Sequence, residues 1–183
     1  KRMPDTRILQ TRTRDDFVSL EQRVAYANSV GADAFVSIHL NAADEVVDKG
    51  GVATFVLDTT NDRQALRLAA RENGTKSGDV GQLQQILAGI HRKDQLDRST
   101  VLAELVQQTT LSAARTHLPR IPDRGVKSAM FYVLVGARMP AILVEASFIT
   151  QPDENAQLAR PAYRQSLAEG IAEGVLRYAR AIQ

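Results

Sequence analysis

Two short apolar runs, each closed by a titratable side chain, constrain this chain more than any other feature of it. Phe35-Val36-Ser37-Ile38 runs into His39, and Ala141-Ile142-Leu143-Val144 runs into Glu145. Near-continuous apolar runs of this length suit strands covered on both faces, as in a parallel sheet flanked by helices. A carboxylate closing such a run is costly to bury unless it is paired, protonated or beside a metal. Open α/β sheets bind ligands outside the carboxyl ends of their strands. His39 and Glu145 therefore meet at one sheet edge if their strands run parallel, and the small pair Ala146-Ser147 after Glu145 leaves room for a ligand.

The rest of the chain supplies the layers such a sheet needs. Arg7 to Thr13 reads as a short edge strand. Ser19, with Gln22 three residues on, reads as a capping box opening a helix through Leu20, Val24 and Ala27 that ends at Gly31. Strand, helix and strand then make a βαβ unit with a right-handed crossover. Gly50-Gly51 is a turn before a strand from Val52 to Leu57, and Thr59 to Asp62 is a loop and cap before a helix reaching Asn73-Gly74. The small, polar stretch from Gly74 to Gly81 reads as a mobile loop, and residues 82–90 as a short helix. A long helix is predicted from Ser99 to His117, with Leu102, Leu105, Val106, Thr109 and Leu111 inward and Pro119 and Pro122 beyond its end. Arg124-Gly125 reads as a turn and Met130 to Val135 as a strand. The last helix opens at Pro161, an N1-type position, with Tyr163, Leu167, Ile171, Val175, Tyr178 and Ile182 on one face. This alternation predicts an α/β fold: a mixed, mainly parallel sheet flanked by helices on both faces.

Composition removes several function classes. The chain has 183 residues, one domain's worth. It carries 23 Lys and Arg against 21 Asp and Glu, for a net charge of +2, and the basic residues are scattered. With 5% aromatics and no Trp as well, this argues against a nucleic-acid partner. Without Cys there is no thiol nucleophile, no disulfide and no cysteine-ligated metal. No apolar run approaches the roughly 18–20 residues of a membrane-spanning helix, and no signal peptide is visible at the start. Lys1-Arg2-Met3 leads almost at once into a strand-like stretch, so the sequence reads as a fragment.

One His and one Glu can serve as a metal ligand and a general base. They do not complete a zinc site, which takes about three protein ligands. His91 and His117 stand in charged, helical surroundings and read as solvated surface. Ser37, Ser128 and Ser147 lack a nucleophile-elbow pattern. Gly74, Gly78 and Gly81 lack the spacing of a phosphate loop. Arg124 in a turn can reach a substrate carboxylate, and Asp15-Asp16 reads as turn and cap.

These residues resemble a known family. Phe35-Val36-Ser37-Ile38-His39-Leu40-Asn41-Ala42 resembles the "F-V-S-I-H-A-N-A" segment of the zinc-dependent N-acetylmuramoyl-L-alanine amidases, bacterial cell-wall hydrolases. The approach, with Asp15-Asp16-Phe17-Val18-Ser19-Leu20, Arg23, Ala27-Asn28 and Ala32-Asp33, is similar too. So are Arg124-Gly125-Val126-Lys127, Met139 to Glu145, and Phe148-Ile149-Thr150, which follow the family's "R-G-x-K … M-P-A-x-L-V-E-x-x-F-I" pattern. The resemblance covers nearly the whole chain.

It implies a zinc held by two histidines and a glutamate, and a separate glutamate acting as general base. The bond cut joins the lactyl group of N-acetylmuramic acid to L-alanine of the stem peptide. By position His39 matches a zinc histidine, Glu145 the catalytic glutamate, and Asn41 a residue lining the substrate groove. The substrate is peptidoglycan, so the expected location is periplasmic or extracellular. The family's "D-P-G-H-G-G" strand and the glutamate of the following helix have no match here. Residues 1–183 are thus expected to be an amidase catalytic domain lacking its N-terminal strand and helix, inactive by itself. Leu40 and Gln151 depart from the family's usual residues. Residues 61–117 resemble the regulatory helical insertion of amidases that respond to a division-associated activator, where a glutamate fills the open zinc position; Glu72 or Glu104 is the candidate, against a reading in which both face solvent. Two rivals stay open: a catalytically inactive amidase-like module that binds peptidoglycan or a partner, and an α/β domain in which His39 and Glu145 are merely structural.

Overall fold

A computed structural model describes residues 6–42, 50–75 and 93–182. Lys1-Arg2-Met3, the expected loop beyond Thr75, the expected helix at 82–90 and His91 lie outside the described residues. In chain order the elements are α1 (Leu20–Ser29), β1 (Phe35–Asn41), β2 (Val52–Leu57), α2 (Arg63–Asn73), α3 (Lys93–Arg115), β3 (Asp123–Ala129), a 3-10 turn (Tyr132–Leu134), β4 (Ala141–Phe148), α4 (Pro152–Leu158) and α5 (Pro161–Ala181).

The four strands form one sheet in the order β1-β4-β2-β3. β1 runs parallel to β4 and β2 parallel to β3, while β2 and β4 are antiparallel. The expected mixed, mainly parallel sheet is therefore present. Its two faces carry separate cores. On one, Phe35, Phe55 and Leu143 pack with Val24 and Ala27 of α1, Leu68 and Ala69 of α2, and Phe131 and Leu134. On the other, Val56, Ile142 and Val144 pack under Leu102 and Val106 of α3 and Tyr163, Leu167 and Ile171 of α5. All eight β4 residues are buried, as a strand with helices on both sides requires.

Local signals account for most element ends. Ser19 and Gln22 make both bonds of the capping box. Asp62 caps α2 by accepting from Gln64 and Ala65 N–H, and Gly74 closes it at φ 67°. α5 starts at Pro161, but Ile182 lies past its end and is exposed. α3 and α5 approach closely because Gly170 and Gly174 lack side chains: a Cβ on Gly174 would stand 2.5 Å from Val106 Cα.

Several expectations fail. Arg7 to Thr13 is not a strand, so no βαβ unit forms around α1. Ile8 and Leu9 are exposed there, and an apolar pair flanked by charges has no covered face to alternate against. Met130 to Val135 is likewise not a strand. Instead Asp123–Ala129, taken for a turn at its start, pairs with β2. Gly125, at φ 69°, lies where the register slips between Val52 and Thr54, so the glycine marks a bulge within β3. Met130, Phe131, Val133 and Leu134 are buried as a loop and 3-10 turn capping the first core. α3 also begins at Lys93, earlier than expected.

Candidate active site

Parallel pairing of β1 and β4 sets His39 directly opposite Glu145. Side chains alternate along a strand, so His39 stands on the same face as Phe35 and Glu145 on the same face as Leu143, toward α1 and α2. β1 continues to Asn41 and β4 to Phe148, so the pair lies just inside the strand ends. Glu145 has no exposed surface, and neither carboxylate oxygen has a hydrogen-bond partner among the described residues. Burial raises its pKa to about 8; the negative charge of Glu72 adds to the rise and Arg71 opposes it.

α2 brings in the third group. Its buried residues Ala65, Leu68, Ala69 and Ala70 seat it on the sheet with mostly small side chains. This leaves the polar end of its last turn over the site. Glu72 Oε2 accepts from His39 Nδ1–H at 2.8 Å. That hydrogen bond is the main cause holding the Glu72 carboxyl below its ordinary pKa, against burial; the charges of His39 and Arg71 help. Arg71 lies 3.5 Å from Glu72 Oε1, donates to Asn41 Oδ1 at 2.7 Å and also donates to the Ala42 carbonyl. Asn73 donates to the Met130 carbonyl and accepts from Tyr132 N–H. Three consecutive residues thus fasten the end of α2 to β1 on one side and to the 130–132 loop on the other.

The remaining candidates are placed as follows. Asn41 is buried and held by Arg71. Glu104 is exposed on α3. His117 is not simply solvated: its Nε2 lies 2.8 Å from Ser166 Oγ, and its ring meets Tyr163 edge-on. Arg124 is in β3 rather than a turn, donating to the Gly50 carbonyl. Ser147 lies in a buried hydrogen-bond group with Glu154 and Tyr163. Arg71 and Asn73 carried no sequence signal, because a helix's last polar turn looks the same whether it faces solvent or a sheet edge. Ser37, passed over as a nucleophile, lies 2.9 Å from His39 Nε2.

One ligand atom each from His39, Glu72 and Glu145 lies within 4.8 Å of the others. His39 and Glu72 offer an imidazole and a carboxylate, donor types that suit zinc, with the Glu145 carboxylate beside them. A cation there would also relieve the like-charge contact between two glutamates and satisfy the bare oxygens of Glu145. The donor set therefore fits a divalent metal.

Comparison with known proteins identifies the family. Residues 2–177 match the family described as N-acetylmuramoyl-L-alanine amidase. N-acetylmuramoyl-L-alanine amidase AmiA of Escherichia coli (strain K12) is 34% identical over 177 residues, covering 92% of this chain and 59% of AmiA. The amidase LytC of Bacillus subtilis (strain 168) is 31% identical over 170 residues, covering 93% of this chain and 26% of LytC. Among solved structures, the N-acetylmuramoyl-L-alanine amidase of Clostridium difficile 630 superposes with a TM-score of 0.68 at 30% identity, covering 98% of this chain and 76% of that one. The chain thus spans under two thirds of the length of one of these curated relatives and about a quarter of the other, and on a match running almost from end to end it belongs to the N-acetylmuramoyl-L-alanine amidase family.

Proposed function

We propose that this chain is the catalytic part of a zinc-dependent peptidoglycan hydrolase that cuts the amide between N-acetylmuramic acid and L-alanine of the stem peptide. The observation that carries the reading is Glu145: a fully buried carboxylate with no hydrogen-bond partner among the described residues, opposite a histidine at a sheet edge. A buried, unsatisfied carboxylate costs stability, and such groups cluster at functional sites.

His39 would be a ligand of the metal, with Glu72 at its open position in the resting state. Zinc bound there supplies a Lewis acid that polarises the amide carbonyl and acidifies water. Glu145, as carboxylate, takes a proton from the attacking water. It returns that proton to the leaving amine of L-alanine as the C–N bond breaks. Asn41 is assigned to the substrate groove. Peptidoglycan lies outside the cytoplasmic membrane, so the protein acts in the periplasm or outside the cell. No described helix is long and apolar enough to cross a membrane.

The place of Glu72, on the nitrogen of His39 that faces the site, supports a self-inhibited resting state. In it α2, the first helix of the 61–117 segment, covers the site until an activator moves it; a division-associated protein is the proposed partner. Glu72, not the exposed Glu104, carries that role. The test uses the native protein that contains this sequence, zinc and purified muropeptides, with products read by mass spectrometry. Free stem peptides beside intact disaccharides are expected, and more of them from Glu72→Ala. Unchanged muropeptides from both proteins would favour the inactive binding module.

A further inference from the structure

Ser37 precedes His39 by two residues on β1, so both side chains stand on the same face. Ser37 is buried, at 7% exposure, with Oγ 2.9 Å from His39 Nε2. The other ring nitrogen, Nδ1, lies 2.8 Å from Glu72 Oε2. An ionised Glu72 only accepts, so Nδ1 carries the proton. In the neutral ring Nε2 is then an acceptor, and the Ser37 hydroxyl donates to it. If Nδ1 instead gives its lone pair to a metal, the proton sits on Nε2. The hydroxyl then turns to accept it. A serine hydroxyl has one donor and two acceptor sites, so it serves both tautomers without moving its heavy atoms.

We propose that Ser37 is a positioning residue for the metal site: it fixes the His39 ring and accompanies the change of tautomer that releases Nδ1 from Glu72 to a metal. This rests on reading His39 as a metal ligand. A hydroxyl buried for packing alone would leave no trace on the ring when replaced by a methyl group.

The test labels the native protein that contains this sequence with 15N-histidine and follows the His39 ring by NMR, first in chelator and then with zinc. Zinc affinity is measured separately by competition with a chromogenic chelator. The wild type is expected to show an Nδ1–H tautomer in chelator and an Nε2–H tautomer with zinc. Ser37→Ala, folded by its melting curve, is expected to show averaged ring shifts. Its zinc dissociation constant should rise about 10–100-fold, the usual range for loss of a group that orients a ligand. Ser37→Thr, which keeps the hydroxyl, should restore both readouts. A folded Ser37→Ala chain with wild-type ring shifts and zinc affinity within about twofold of wild type overturns the proposal. If wild type fails to bind zinc while Ser37→Ala still loses the tautomer, the metal reading falls and the hold of Ser37 on His39 stands.

Discussion

Glu145 and Glu154 are two buried carboxylates close together in sequence, and the protein treats them in opposite ways. Glu154, on α4, is 4% exposed and fully occupied. Its Oε1 accepts from Gly51 N–H at 2.8 Å, and its Oε2 accepts from Ser147 Oγ–H and Phe148 N–H at 2.7 Å each. The Gly50-Gly51 turn exists for this approach: a Cβ on Gly50 would collide with the Glu154 carboxylate. Arg124 reinforces the joint, donating to the Gly50 carbonyl while its guanidinium lies 4.8 Å over the Phe148 ring. Glu154 therefore ties the entry of β2 to the end of β4. Glu145 makes none of these bonds. One carboxylate is spent on structure, and the other is kept bare at the edge where β1 and β4 meet. Hydrogen-bond satisfaction, not burial, separates a structural charge from a reactive one.

Substitutions sharpen this contrast, and the largest effect is expected at Glu145. In the native protein Glu145→Gln should lower kcat for muropeptide cleavage by about 10²–10⁴-fold, the usual worth of a general acid–base group, with the fold intact by circular dichroism. Wild-type turnover in Glu145→Gln would break the comparison from the functional side. Glu154→Ala should behave conversely. It strands two buried backbone N–H groups and a hydroxyl, so urea unfolding should show a loss of about 3–5 kcal/mol. A loss under about 1 kcal/mol would show that the joint is not what holds the sheet edge. Glu72→Gln removes the like charge beside Glu145, so the Glu145 pKa should fall, as read by carboxyl 13C titration in chelator.

The smallest effect belongs to a half-exposed carboxylate. Asp62 caps α2 and pairs with Lys127 Nζ at 2.9 Å. The Lys127 hydrogen bond is the chief cause of its lowered pKa. Its stabilisation is present above the unfolded pKa and is lost as pH falls through the folded one. Asp62→Ala should cost about 1 kcal/mol at pH 7, mostly as a lost cap. The difference from wild type should shrink in acid, as the part that depends on the Asp62 charge is lost.

Much of this was legible in the sequence where the cause is local. The Val52–Leu57 strand, the Ser19 and Asp62 caps, and the helix opening at Pro161 follow from run length, capping residues and proline position. His39 and Glu145 stood out because each closes an apolar run. The misreadings came where tertiary context decides. The apolar stretch after Met130 caps a core instead of pairing, and Arg124-Gly125 is a bulged strand rather than a turn. α4 and its Glu154 escaped notice because a short polar segment gives no periodic signal. Glu72 was one of two candidates, and the structure favours it over the exposed Glu104; Arg71 and Ser37 became site residues only once the end of α2 was seen beside β1. No spacing in the sequence encodes that contact.

The most direct test of the contrast is the unfolding free energy of wild type and Glu145→Gln at pH 6 and pH 9, metal-free. A carboxyl raised to about 8 in the folded state holds its proton more tightly there than in the unfolded chain. Stability is therefore full below the unfolded pKa and is lost as pH rises through 8. Glu145→Gln has no proton to lose, so it should gain on the wild type by an amount of order 3 kcal/mol between pH 6 and pH 9. An unchanged difference between the two proteins would contradict the account, for it would mean that Glu145 is as well accommodated as Glu154.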